Sequence, residues 1–102
     1  MEKAILIGRI TKDPEIKTYD GGQFAVFSIA CEHVSKGQKV VQFHNISAFG
    51  KLGELASQFK KGALVMVEAD IRYRKSDDKL FINYLAKGIS DVMANSIKDT
   101  PE

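Results

Sequence analysis

The chain has 102 residues, of which 44% are hydrophobic and 27% charged, and its formal net charge is +2. This length allows one domain with a single hydrophobic core and excludes a multidomain enzyme. No apolar run approaches a membrane span or a signal peptide, so we expect a cytoplasmic protein. The lone Cys31 cannot form an internal disulfide, and with only His33 and His44 beside it the chain cannot easily assemble a four-ligand structural zinc site. We therefore expect neither a metal nor a cofactor.

Alternating apolar residues predict three β-strands before residue 50. A β-rich run from Ala4 to Ile10 leads into polar residues and a hairpin-type turn at Asp20-Gly21-Gly22. The second strand, Phe24 to Cys31, is apolar on both faces, as expected for a strand that is covered on both sides. A polar hairpin tip at Ser35-Lys36-Gly37-Gln38 separates it from the third strand, Val40 to Phe49.

The hydrophobic period then changes to that of an amphipathic helix. Apolar residues recur at i, i+3, i+4 and i+7 from Leu52 to Phe59, which predicts one helix from Lys51 to Lys61 that ends at Gly62. Glu54 is then expected in the first turn and Lys60-Lys61 in the last, where the helix dipole favours each charge.

Two further strands complete the predicted fold. The run from Ala63 to Arg74 alternates, a charged turn follows at residues 75–79, and a last β-rich run extends from Leu80 to Val92. We expect a domain over residues 1–93 and a short flexible tail over residues 94–102, where no period remains. The order of elements predicts an all-β fold, a five-stranded OB-fold barrel with one α-helix between strands 3 and 4.

Three blocks of this sequence resemble the bacterial-type single-stranded DNA-binding proteins. The blocks are Ala4-Ile5-Leu6-Ile7-Gly8-Arg9-Ile10 with Lys12-Asp13-Pro14-Glu15; Phe43-His44 with Ala48-Phe49-Gly50-Lys51-Leu52, Leu55-Ala56 and Lys61-Gly62; and Val67-Glu68-Ala69 with Ile71-Arg72 and Arg74-Lys75. The resemblance covers about residues 3–85. It implies sequence-independent binding and protection of single-stranded DNA during replication, recombination or repair, by a homodimer or homotetramer.

The chain departs from the pattern of this family at several positions. It has no tryptophan; Phe43 keeps an aromatic ring at one family position, whereas Ser35 and Ser76 stand where two other tryptophans are expected. Asn45 replaces a basic residue, and Ala69 replaces a glycine. The family's acidic, hydrophobic-tipped tail is also missing. The chain therefore resembles short, phage-encoded or otherwise specialised members, and tail-mediated recruitment of replication proteins is not implied.

A binder of single strands without sequence preference needs aromatic faces for bases and cations for phosphates. Phe43 and Phe49 share one face of the third predicted strand, about 20 Å apart, with Asn45 and Ser47 between them. For Phe49, a core position is an equally open interpretation. The other candidates for nucleic-acid binding are the cationic residues Arg9, Lys36, Lys39, Lys51, Arg72, Arg74 and Lys75 and the aromatic residues Tyr73 and Phe81.

A homo-oligomer is expected because the second strand and the apolar first strand offer surfaces that a monomer would leave in water. The candidate interface residues are Ile5, Ile7, Phe24, Val26 and His44.

Other interpretations of this sequence stay open. Arg72 and Arg74 on a solvated face could simply pair with Glu68 and Asp70. The barrel could also be a protein-interaction or primosome-type accessory module with weak or no binding of single-stranded DNA. We expect no enzymatic activity, because no positioned third group or oxyanion donor accompanies Cys31 and a histidine.

Overall fold

The computed structural model describes residues 2–92, and the predicted tail at residues 94–102 lies outside them. The chain folds into six strands and one helix. The elements are β1 (Lys3–Ile10), β2 (Glu15–Tyr19), β3 (Gly22–Ser35), β4 (Gln38–Phe49), α1 (Gly50–Ala56), β5 (Leu64–Ser76) and β6 (Lys79–Asp91). Within residues 2–92, no helix has the length and apolarity that crossing a membrane requires.

Five of the strands close a barrel. The order in the sheet is β1-β5-β6-β4-β3-β2, and β1 returns to pair with β3 through Arg9 with Ala30 and Ile10 with Ile29. All pairings are antiparallel except that of β4 with β6, which is parallel and short. This confirms the predicted all-β fold, an OB-fold barrel with one short helix beside it.

Strand β2 is an addition to the predicted order of elements. It pairs only with β3, in a hairpin that turns at Asp20 and Gly21, and all five of its residues are exposed. An exposed strand has no alternation between buried and polar positions, which is why the sequence pattern did not separate it from the loop. With β2 counted, the helix lies between the fourth and fifth strands.

The predicted extent of the helix was wrong. Helix α1 has seven residues and ends at Ala56, so Lys60 and Lys61 lie outside it and do not complement its dipole. The following segment is instead tied to the barrel: Gly62 donates its backbone N–H to the Ile10 carbonyl at 2.8 Å. Phe59 still packs against the core from this segment, which explains why its spacing resembled that of a longer helix.

The core is formed by alternate residues of the strands, as the predicted period of two requires. The buried hydrophobic residues are Ile10, Ala25, Phe27, Ile29, Ile46, Ala48, Ala56, Val65, Val67, Ala69, Ala86 and Ile89. Barrel closure also depends on Gly8, because a Cβ at this position would lie 2.5 Å from the Ala30 carbonyl oxygen. A side chain there would push β1 away from β3.

Two long hairpins extend from the barrel. The β3–β4 hairpin turns at Lys36 and Gly37, with φ of 52° and 76°, and the β5–β6 hairpin turns at Asp77 and Asp78, with φ of 50° and 65°. Positive φ at both central residues gives the two-residue turn that matches the twist of antiparallel strands. Both predicted polar turns are confirmed.

Candidate nucleic-acid interface

One face of β3 and β4 points away from the core, and we call it the outer face. On β4 the side chains of Ile46 and Ala48 point into the core, so the alternate residues point outward. The strand register places these outward residues side by side in four pairs: Phe24 with Phe49, Val26 with Ser47, Ser28 with Asn45, and Ala30 with Phe43.

Both aromatic residues predicted on β4 are exposed on the outer face. The Phe43 side chain is 67% exposed and that of Phe49 is 38% exposed. The core interpretation of Phe49 is therefore excluded. Asn45 is exposed between the two rings, and Ser47 is partly exposed. The two rings lie six residues apart on one extended strand, which is about 20 Å.

At one end of the outer face, three rings form an aromatic cluster of Tyr19, Phe24 and Phe49. The Phe24 and Phe49 rings stack with centroids 4.7 Å apart and an interplanar angle of 14°. Tyr19 meets both rings edge to face, at 5.8 Å from Phe24 and 5.5 Å from Phe49. Strand β2 brings Tyr19 to this position through its pairing with the start of β3. The cluster combines a stacked pair with a third ring at its side.

A polar groove of about 380 Å³ lies on the outer face beside this cluster. Its lining residues come from the segment before β2, from β2 itself, and from β3, β4 and β6: Lys12, Asp13, Glu15, Lys17, Val26, Phe27, Ser28, Asn45, Ile46, Ser47 and Asn83. Amide and hydroxyl side chains donate and accept hydrogen bonds, so such a groove can receive the polar edges of a nucleic acid. Asn45 on β4 and Asn83 on β6 both line this groove.

The β5–β6 hairpin continues this surface with a cation and a ring. Arg74 pairs with Phe81 across the strands, and its guanidinium carbon lies 5.0 Å from the Phe81 ring centroid. Phe81 is 40% exposed and lies two residues from Asn83, on the same face of β6. Arg72 instead lies 4.0 Å from Asp70, in line with the ion-pair interpretation for that arginine.

Five of the predicted cationic residues lie outside the polar groove, and two of these five have partners within the chain. Lys39 forms an ion pair with Glu32 at 3.2 Å, and Arg9 donates from Nη1 to the Gly62 carbonyl at 2.9 Å. Lys36 lies at the tip of the β3–β4 hairpin, Lys75 lies one residue before the end of β5, and Lys51 is the second residue of α1. None of these five lines the polar groove.

Tyr73 points to the other side of β5 from Arg72 and Arg74, because side chains alternate along a strand. Its hydroxyl donates to Glu2 Oε2 at 3.0 Å, and this hydrogen bond to the Glu2 carboxylate raises the pKa of the Tyr73 phenol. The structure therefore does not bring Tyr73 together with Phe43, Phe49 and the groove.

The predicted interface residues do not form one surface. Phe24 and Val26 lie on the outer face with Phe49 and Ser47. Ile5 and Ile7 lie on β1, which meets β3 only six residues further along, at Ala30.

His44 lies on the opposite face of β4 from Phe43 and contacts Tyr84 edge to face at 5.2 Å. It is only partly exposed. It therefore belongs neither with the outer-face pair nor with the two isoleucines of β1.

Sequence reasoning missed the residues that β2, the segment before it and β6 add to the outer face. These are Lys12, Lys17, Tyr19 and Asn83. The Asp-Gly-Gly turn directly after Tyr19 was a usable signal, because a hairpin there requires a strand before it that pairs with Phe24 and its neighbours.

A small five-stranded barrel with one short helix between its strands defines the OB-fold class of domains. The sequence model of the Single-strand binding protein family matches residues 1–91. The chain belongs to this family.

Relatives in several bacteria bear the name single-stranded DNA-binding protein. The protein of Neisseria meningitidis serogroup A is 38% identical over 105 residues, covering 96% of this chain and 59% of the relative. Those of Xylella fastidiosa and Xanthomonas campestris are 37% and 30% identical, covering 74% and 96% of this chain and 50% and 59% of each relative. The chain thus spans between half and three fifths of the length of these relatives.

Proposed function

We propose that this chain binds single-stranded DNA without sequence preference on its outer face, and protects it during replication, recombination or repair. The observation that carries the proposal is the placement of Phe43 and Phe49, two exposed rings on one face of β4 with a polar groove beside them. The names of the relatives support the same ligand.

The chemistry of the outer face suits an unpaired strand. Each base that stacks on an aromatic ring contributes roughly 1–3 kcal/mol, and stacking tolerates any base because every base has a π face. Duplex DNA keeps its bases stacked on one another, so these rings would find no base face in it. Asn45 and Asn83 are suited to hydrogen bonds with exposed base edges or sugars, and Arg74 supplies positive charge near Phe81. The proposed function is binding without a catalytic step.

The proposal is tested by fluorescence anisotropy of a labelled oligo-dT of about 35 nucleotides at two salt concentrations. We expect saturable binding that unlabelled duplex of equal length does not displace. The logarithm of the association constant should fall with the logarithm of salt concentration, with a slope of about −0.7 for each phosphate contacted. Absence of binding at low salt would refute the proposal and favour a protein-interaction module.

We also propose that two copies of the chain associate through β1. Ile5 and Ile7 are 70% and 54% exposed, and Met66, the partner of Ile7 on β5, is 39% exposed. The other edge of β1 has a strand partner only at Arg9 and Ile10, and the Ile7 backbone hydrogen-bonds Cys31, so residues 3–6 present backbone groups that can pair with another strand. A second copy of β1 offers both the apolar side chains and the unpaired edge.

Light scattering after size-exclusion chromatography tests this association. The wild-type chain should elute as a dimer or tetramer of the 11.3 kDa subunit, and Ile5→Glu with Ile7→Glu should shift it towards the monomer. Both side chains are exposed, so the double variant should keep its circular dichroism spectrum. A monomeric wild type at micromolar concentration would contradict the proposal.

A further inference from the structure

We propose that strand β2 is itself a nucleic-acid-contacting element, which with the aromatic cluster forms an additional nucleotide subsite at the edge of the sheet. In this subsite one base stacks on the Phe24–Phe49 pair, the Tyr19 ring meets the edge of that base, and Lys17 contacts the adjoining phosphate. The inference rests on the proposed function, since it extends the path of a single strand beyond Phe49.

The geometry of the subsite follows from the strand register. Lys17 on β2 lies opposite Phe24 on β3, and Phe24 lies opposite Phe49 on β4. Neighbouring side chains on one face of an antiparallel sheet have Cβ atoms about 4.5–5.5 Å apart. The cation and the two rings therefore form one continuous row across three strands, with the ammonium group at its outer end.

The rings of the cluster are open to a ligand. Tyr19 is 48% exposed and Phe49 is 38% exposed, although both already contact other rings. Phe24 and Phe49 stack nearly parallel, so a flat base placed against this pair would extend an existing stack. Lys17, which lies opposite Phe24, also lines the polar groove, so the subsite adjoins the groove.

Lys17 differs from the neighbouring charged residues of β2 and the segment before it in its ion pairing. Lys12 lies 3.9 Å from Glu15, and Asp13 accepts the Lys61 backbone N–H at 2.8 Å. Lys17 is exposed, and among residues 2–92 it is not within ion-pair distance of any carboxylate. Lys17 can therefore neutralise a phosphate without breaking an existing ion pair.

The competing explanation is that the cluster only fastens the hairpin of β2 to the barrel. A merely structural cluster would affect the free energy of unfolding but would not change the salt dependence of DNA binding. Lys17 separates the two explanations, because it contributes no ring to the cluster and its removal should leave the fold intact.

The test compares variants in the oligo-dT anisotropy assay. Lys17→Gln should weaken binding and make the salt slope less negative by about 0.7, the share of one phosphate contact. Tyr19→Ala should weaken binding by about two- to tenfold, the loss expected for one edge-to-face ring contact, whereas Tyr19→Phe should retain wild-type affinity. Matched controls are Thr18→Ala, on the opposite face of β2, and Lys60→Gln, outside the groove.

The outcomes separate this inference from the proposed function. If the wild type binds and Phe43→Ala weakens binding, but Lys17→Gln and Tyr19→Ala match their controls, the β2 subsite is refuted while the proposed function stands. If the wild type does not bind at all, both are refuted. Thermal unfolding of each variant identifies any loss of binding that comes from misfolding. If Tyr19→Ala is misfolded, the affinity and salt slope of Lys17→Gln decide whether the β2 subsite exists.

Discussion

Phe43→Ala is the substitution that most sharply separates DNA binding from folding. The ring is 67% exposed and lies on the outer face of β4, so its removal takes little apolar area out of the core. We expect the free energy of unfolding to stay within about 0.5 kcal/mol of the wild type, as for most surface substitutions. Loss of one stacked base should cost about 1–3 kcal/mol of binding, which corresponds to about 5- to 150-fold in Kd.

The assay is oligo-dT anisotropy combined with urea unfolding of the same preparations. Because Phe43 carries no charge, the salt slope should not change. Leu80→Ala is the matched control, since Leu80 is 62% exposed but lies on the opposite face of β6 from Phe81. Equal affinities of Phe43→Ala and the wild type would refute the stacking role, and so would an equal loss in the Leu80→Ala control.

Three further predictions concern the β5–β6 hairpin and the barrel. Arg74→Lys keeps the charge but loses the planar group over Phe81, so anisotropy should show about two- to fivefold weaker binding with an unchanged salt slope; unchanged affinity would contradict this. Gly8→Ala places a Cβ 2.5 Å from the Ala30 carbonyl oxygen and should destabilise the fold by about 1–3 kcal/mol in urea unfolding; wild-type stability would exclude the close approach. Burial raises the pKa of the Cys31 thiol and so lowers its thiolate fraction, which should make iodoacetamide alkylation at pH 8 slower than in the urea-unfolded chain; equal rates would contradict this.

The barrel could be predicted because its strands bury one face. Val65, Val67 and Ala69 are fully buried and alternate with the exposed Met66 and Glu68, so burial on β5 has the period of two expected for a strand. The polar turns could be predicted equally well, because Lys36-Gly37 and Asp77-Asp78 interrupt long β-rich runs. Helix α1 was predicted too long, because Phe59 keeps helical spacing while it packs on the core from a turn.

The outer face could be predicted only in part. Phe43 and Phe49 could be placed together from the sequence because they lie on the same face of one strand, with Asn45 and Ser47 between them. The stacking of Phe24 on Phe49 depends on the register between two strands, which a period of two alone does not specify. For the same reason the sequence does not show that Phe24 lies apart from Ile5 and Ile7, because β1 pairs with β3 only at Ile29 and Ala30.

The central claim, that the outer face holds the single strand, is tested most directly by photocrosslinking to an oligonucleotide that contains 5-iodo-deoxyuridine. Trypsin should release residues 40–51, with both Phe43 and Phe49, residues 80–87, with Phe81, and residues 52–60, from α1 and the turn that follows. Mass spectrometry should find the nucleotide adduct on the first two peptides. Adducts confined to residues 52–60 would contradict the account.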